Sequence, residues 1–223
     1  LKLAHFGRRN TETGSKANIA AHYDLGNDFF NLFLDPTMMY SSAAYPSASA
    51  TLDEAAVHKL ELICQSLELK PEDELIEIGT GWGGMAMYAA QQYGCKVTTT
   101  TISKEQYQYT LEAVKAAGLE NQITVLCQDY RQLEGSFDKL VSIEMIEAVG
   151  HEFYESYFRC VSKLLKPTGK AVIQAITIPD QRYDFARQSV DYIKRYIFPG
   201  GCLPSLRVIS ENLAKHTDLQ ITQ

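Results

Sequence analysis

An apolar run, Glu74 to Ile78, leads straight into Gly79-Thr80-Gly81-Trp82-Gly83-Gly84, and this junction constrains the fold more than any other stretch. An ordered glycine costs about 0.5–1 kcal/mol relative to alanine, so a cluster at a strand end needs a tight turn or a bound ligand to offset it. The spacing is Gly-x-Gly-x-Gly rather than the Gly-x-Gly-x-x-Gly of dinucleotide binders, and no Gly-Lys-Ser/Thr follows. Pyrophosphate is therefore disfavoured against a nucleoside with a small charged tail, such as S-adenosylmethionine. A plain strand-to-helix turn is the competing reading.

Helical and strand periodicities alternate around this junction. Thr51-Leu52-Asp53-Glu54 is a capping box, after which Leu52, Ala56, Leu60, Ile63 and Leu67 recur at helical spacing up to Lys70-Pro71. Met85 to Tyr93 reads as a helix closed by Gly94, Lys96 to Ile102 as a β-branched strand, and Ser103 to Ala117 as a helix closed by Gly118. Gln122 to Cys127 and Phe137 to Ile143 are further strands. A helix from His151 to Leu165, a Pro167-Thr168-Gly169 turn and a strand from Ala171 to Ile178 continue the alternation. Such an order predicts an α/β fold, a mostly parallel sheet with helices on both faces. Ligands of such sheets bind beyond the carboxyl ends of the strands. The glycine loop, Ile102-Ser103, Gln128-Asp129-Tyr130, Glu144 to Glu147 and Gln174 all fall at those ends.

The 223 residues favour one domain, and a net charge of −6 disfavours non-specific binding of nucleic acid. No apolar stretch approaches the roughly 20 residues of a membrane span. Cys64, Cys95, Cys127, Cys160 and Cys202 form no Cys-x-x-Cys pair, which points to a reducing cytoplasm and no metal site. Leu1 to Gly14 lacks a signal-peptide core and the chain does not begin with Met, so a piece of a longer protein is expected.

Two segments stand outside the alternation. The stretch from His22 to Leu34 is unusually aromatic, with Tyr23, Phe29, Phe30 and Phe33, and is expected to cap the mouth of the sheet. Phe185, Ser189, Tyr192, Ile193, Tyr196 and Ile197 share one helical face, with Arg187, Asp191, Lys194 and Arg195 opposite, before Pro199-Gly200-Gly201 breaks the helix. We read this as an inserted lid. The competing reading for both is core packing or a homo-oligomer contact. The expected organisation is a cap over residues 1–50 and a catalytic domain over residues 51–223, with the lid at 182–205.

Taken together, His22-Tyr23-Asp24-Leu25-Gly26-Asn27-Asp28, Tyr40-Ser41-Ser42, Ile78 to Gly83, Ser142 to Glu147 and Ile197-Phe198-Pro199-Gly200-Gly201-Cys202-Leu203-Pro204-Ser205 resemble the cyclopropane-fatty-acyl-phospholipid synthase family. The resemblance runs over residues 16–210. It implies a Rossmann-like class I methyltransferase fold that uses S-adenosylmethionine, with further strands beyond Gln223. It also implies a substrate double bond in an unsaturated phospholipid acyl chain, and a carbocation intermediate.

The cofactor contacts it implies are Tyr23, Tyr40, Ser41, Glu77, Ile78, Gly79, Thr80, Gly81, Gly83, Thr101, Gln106, Asp129 and Tyr130. Two of these have local competitors: Gln106 also completes a capping box with Ser103, and Asp129 suits a turn. In the family a bicarbonate ion removes the proton, held by a glutamate, a histidine, backbone groups near a cysteine, and a tyrosine. Glu147 matches the glutamate, whereas Gln174 stands at the histidine position and Ser42 at the cysteine position. Glutamine holds an anion through its amide but takes no proton near neutral pH. Phe29, Phe30, Phe33, Tyr192 and Tyr196 are expected to line a dry acyl site, and the ring faces of Tyr23, Phe29, Phe30 and Phe33 to stabilise positive charge, with simple packing as the competing reading. Arg187, Lys194 and Arg195 are expected to meet anionic headgroups during a transient, peripheral membrane contact. The alternatives are an amine N-methyltransferase and a cofactor-binding protein with a decayed catalytic centre, both kept open by Gln174.

Overall fold

The computed structural model describes residues 10–23 and 26–222. Helices α1 (Glu12–Tyr23), α2 (Asn27–Asn31) and α3 (Leu52–Leu67) precede the sheet. The alternation then runs β1 (Glu74–Ile78), α4 (Gly84–Tyr93), β2 (Lys96–Thr101), α5 (Lys104–Ala116), β3 (Ile123–Cys127), β4 (Phe137–Ile143), α6 (Ile146–Val149), α7 (Tyr154–Leu164) and β5 (Leu165–Gln174). Helix α8 (Asp180–Gln188), a π-helical turn at Ile193–Ile197 and α9 (Leu206–His216) follow. Every ladder is parallel, in the order β3-β2-β1-β4-β5. From central β1 the chain moves outward through β2 and β3, then crosses to β4 and β5 on the other side. The carboxyl end of β1 is therefore where strand order reverses, the usual ligand position in such a sheet.

Alternation along the strands feeds two cores. Leu75 joins Leu60, Ile63, Met85, Val97 and Val114 under α3, α4 and α5, while Ile76 and Ile78 join Leu140, Tyr157, Phe158 and Val161 under α7. Tyr154, Phe158, Val161 and Leu164 recur at helical spacing and are buried on one face of α7. Each fully buried large apolar side chain contributes about 1.5–3 kcal/mol. Helix α3 starts where its sequence says: Thr51 accepts from the Glu54 amide while Glu54 accepts from the Thr51 amide.

Two expectations are corrected. Strand β5 runs Leu165–Gln174 and not Ala171 to Ile178. The Pro167-Thr168-Gly169 stretch is absorbed as a register shift against β4, with Phe137 opposite Leu165 and Lys139 opposite Lys170. The strand ends at Gln174 because the next amides leave the ladder: Ile176 donates to the Glu147 carboxylate and Ile178 to the Pro204 carbonyl. The expected continuous lid helix is also two pieces, α8 and the π-helical turn. Lys194, in the π-helical turn, is buried and reaches back across the break, donating from Nζ to the carbonyls of Ala186 and Ser189. It satisfies the open end of α8 and is not available to a headgroup.

Candidate active site

At the reversal point a cavity of about 1150 Å³, its open mouth included, lies against the glycine loop. Tyr40, Ser41, Glu77, Ile78, Gly79, Thr80, Gly81, Thr101, Gln106, Asp129 and Tyr130 all line it. Gly83 does not. It caps α4 at φ 87°, and a Cβ there would come within 2.7 Å of the Thr110 side chain, so its reason is backbone angle and packing. Gly81, at φ 54°, has nothing within 4 Å of where a Cβ would stand among the described residues. The Tyr23 side chain, like Asp24 and Leu25, lies outside the described residues.

The inner wall is set by sheet register. Glu77 lies beside Thr99 in the β1–β2 ladder and accepts from the Thr99 hydroxyl at 2.6 Å. Burial pushes the Glu77 carboxyl up to about 8, because no cation offsets its desolvation. The amides of Gly79 and Thr80 both donate to the Thr100 carbonyl, which fixes the loop as it leaves β1. Gln106 resolves its two readings: Ser103 accepts from the Gln106 amide, but the Gln106 side chain accepts from the Thr101 hydroxyl at 2.9 Å instead of closing a capping box. Both side chains thus stay at the cavity wall.

Asp129 does two jobs at once. It accepts from the Arg131 amide, opening a short 3₁₀ turn, and holds the Arg131 guanidinium through Nε at 2.8 Å and Nη2 at 2.7 Å. That guanidinium also donates to the Asn10 carbonyl, and the Asn10 amide reaches the carbonyls of Ala148 and Gly200. Residues far apart in the chain are tied together above the cavity in this way. Asn10, Trp82 and Phe198 line it as well. Nothing in the sequence marks Asn10 as a wall residue, since its placement depends on contacts more than a hundred residues away.

At the mouth, Ser42, Glu144 and Gln174 form one hydrogen-bonded cluster. The Ser42 amide, the Ser42 hydroxyl and the Gln174 amide group donate to Oε1 of Glu144 at 2.9, 3.0 and 2.9 Å. Glu144 lines the cavity and has φ 48°. Behind it, buried Lys59 donates to the Ser41 hydroxyl at 2.5 Å, and desolvation lowers its ammonium to about 8. Glu147 accepts from the Ile176 amide through one oxygen, while the other is buried and without a partner among the described residues. Burial pushes its carboxyl up to about 7. Ser42, Gln174 and Glu147 are thus beside the cavity rather than in its wall, and Glu144 stands between them and it.

The aromatic expectations fare differently. Phe30 is buried, packed on Trp82 at 4.7 Å and on Tyr40 at 5.3 Å, with Phe29 and Phe33 stacked outside it and half exposed. These phenylalanines buttress the wall and are not among the residues lining the cavity. Tyr192 and Tyr196 stack on each other at 5.1 Å, are 67% and 60% exposed, and do not line it either. Exposure removes them from the dry acyl site in this arrangement.

Residues 10–223 match the family model for mycolic acid cyclopropane synthetase. The chain belongs to this family. It is 44% identical over 219 residues to the cyclopropane-fatty-acyl-phospholipid synthase of Escherichia coli K12, covering 97% of this chain and 55% of that protein. It is 39% identical over 214 residues to a tuberculostearic acid methyltransferase of Mycobacterium tuberculosis, covering 93% of this chain and 50% of that protein. The chain thus spans about half the length of these curated relatives. Among solved structures, a mycolic acid cyclopropane synthase complexed with SAH and CTAB superposes with a TM-score of 0.86 at 34% identity, over 93% of this chain and 76% of that one. The parallel sheet and flanking helices are the S-adenosylmethionine-dependent methyltransferase fold of that synthase.

Proposed function

We propose that the protein is an S-adenosylmethionine-dependent C-methyltransferase acting on the double bond of an unsaturated phospholipid acyl chain, to give a cyclopropane or a methyl branch. The observation that carries this is the cavity at the reversal point, floored by Gly79 and Gly81 and walled by Glu77, Gln106 and Asp129, in a chain of this family.

These residues fit the cofactor. Asp129 and Gln106 offer side-chain oxygens to an amine and to ribose hydroxyls, and Gly81 leaves room where a side chain would stand. Glu77, Tyr40 and Ser41 offer polar groups to the amino-acid tail. When bound, the cofactor supplies an electrophilic methyl on a sulfonium. The protein then has to hold the acceptor in line with that methyl and keep water away from the cation formed. Under this reading Ile143, Met145, Val149 and Phe198 form the apolar side of the cavity where the acyl chain lies. Glu147, the glutamate matched by the family resemblance, acts at the mouth beside Gln174 and Ser42.

A bicarbonate ion fits this mouth poorly. The donors on Ser42 and Gln174 are already spent on the Glu144 carboxylate and the Ile176 amide on Glu147, and an added anion would face two carboxyl groups. We assign it no step.

The leader over residues 1–50 serves in this reading as a cap, with 51–223 as the catalytic domain and 182–205 as a lid over the acyl path. Exposed Phe185, Tyr192, Ile193 and Tyr196, with Arg187 and Arg195 nearby, suit a transient contact with an anionic membrane surface from the cytoplasmic side. No helix among the described residues is long and apolar enough to cross a membrane. Incubating the full-length protein with radiolabelled S-adenosylmethionine and either unsaturated phospholipid vesicles or small amines tests the proposal. Label in the lipid is the expected result; label in the amine, or in neither, overturns it.

A further inference from the structure

Donors from two distant segments meet on one oxygen at the mouth, the amide and hydroxyl of Ser42 and the side-chain amide of Gln174, all on Oε1 of Glu144. Convergent N–H and O–H groups are what a bound anion requires. Here the chain fills that point with its own carboxylate. Glu144 does so at φ 48°, left-handed backbone that a residue with a side chain rarely adopts. The strain marks a position where the side chain is worth holding. Its charge also interacts favourably with buried Lys59, on the far side of Ser41. Three residues on, one oxygen of Glu147 is buried without a partner among the described residues, and burial pushes that carboxyl up to about 7.

We infer that Glu144 is the catalytic base of the proposed reaction, taking the proton where a small anion would otherwise be bound. This rests on the acyl-methylation reading above. Once the methyl has joined one alkene carbon, positive charge rests on the neighbouring carbon. Oε2 of Glu144, left over by the three donors on Oε1, takes a proton from the new methyl. The electron pair of that C–H bond then forms the bond that closes the ring. Glu144 is half buried at the open mouth, which gives the proton a route to water.

The test uses full-length enzyme, S-adenosylmethionine and vesicles of monounsaturated phosphatidylglycerol, in buffer stripped of carbon dioxide and in the same buffer with bicarbonate restored. Wild-type turnover is expected to agree within about two-fold between the buffers. Glu144→Gln, which cannot take the proton, is expected to lose at least about 100-fold in both, with affinity for S-adenosylhomocysteine kept within a few-fold. Glu144→Gly, at home at this φ, vacates the three donors; its turnover is expected to be lost in stripped buffer and to recover about ten-fold or more with bicarbonate or formate. A wild-type enzyme about ten-fold or more dependent on bicarbonate, a Glu144→Gln enzyme at the wild-type rate, or a cofactor-binding Glu144→Gly enzyme that no anion rescues would each overturn the inference. Should neither variant fold, the comparison of wild-type turnover in the two buffers decides alone. Lipid left unlabelled by the wild type in both buffers would overturn the acyl reading itself, and this inference with it.

Discussion

At the inner end of the cavity Glu77, Thr80 and Thr99 are 2%, 3% and 0% exposed, whereas at the mouth Ser42 is exposed and Glu144 and Gln174 are half buried. The inner groups meet because adjacent strands bring them into register: Glu77 pairs with Thr99 across the ladder. At the mouth Glu144 and Gln174 follow the β4–β5 ladder, the Glu144 amide donating to the Gln174 carbonyl, and Ser42 reaches them across 102 and 132 residues of chain. Strand register alone therefore builds the inner end, whereas the mouth adds Ser42, from before the sheet, to the ends of β4 and β5. Changes at the first should act on folding and cofactor affinity; changes at the second should act on turnover.

The sharpest break between the two ends is Glu147→Gln. Under the proposed function Glu147 acts beside the base, and losing a carboxyl that takes part in proton transfer typically costs about 10²–10⁴ in rate. Turnover should fall by that amount while calorimetric affinity for S-adenosylmethionine stays within a few-fold; equal loss of both would make Glu147 a structural residue.

Acidity separates the ends next. Glu77 is pushed up to about 8 and Glu147 to about 7, against 4.5 in an unfolded chain. Between pH 4.5 and those values the unfolded chain has released protons that the fold still holds, so raising the pH weakens the fold. Below about 4.5 neither group costs anything, and above about 8 the loss is complete. For each such carboxyl, stability falls by at most about 1.4 kcal/mol per pH unit across that window. Urea unfolding of the cofactor-free protein between about pH 5 and 9 should show stability falling, with a flatter slope in Glu77→Gln. An unchanged slope in that variant would contradict burial of a protonated Glu77.

Smaller still is Gly83→Ala, which meets Thr110 and a left-handed φ. A loss of about 2–3 kcal/mol of unfolding free energy is expected, with cofactor affinity of the folded fraction unchanged. Selective loss of affinity would return Gly83 to the cofactor site. Least of all, Arg187→Gln and Arg195→Gln should each weaken binding to anionic vesicles by about 1 kcal/mol, roughly five-fold, in a sedimentation assay. No change in either would detach α8 and the following turn from the membrane.

This contrast also explains what is legible in the sequence. Strands and helices with clean periodicity, such as β1 and α3, and the glycine loop that only a few backbone angles permit, are local properties and read directly. Glu77 and Thr101 lie at the ends of their strands and Gly79, Thr80 and Asp129 one or two positions past strand ends, so placing the strands places them. Strand β5 starts earlier than its pattern suggests because Pro167-Thr168-Gly169 resembles a turn, yet the irregularity is taken up against β4. The lid reads as one helix because a shared apolar face hides a break that buried Lys194 stitches. Glu144 stands at the expected strand end but without a role, since its hydrogen bonds and its φ are visible only once Ser42 and Gln174 are brought beside it.

A crystal structure of the full-length protein with S-adenosylhomocysteine and an unsaturated phospholipid tests the central claim most directly. The adenosine is expected at Asp129 and Gln106, the amino-acid tail over Gly79 and Gly81, and the sulfur facing an acyl double bond beside Glu144 and Glu147. Density showing the cavity closed by protein side chains, or the cofactor bound with its sulfur turned away from that carboxylate pair, would contradict it.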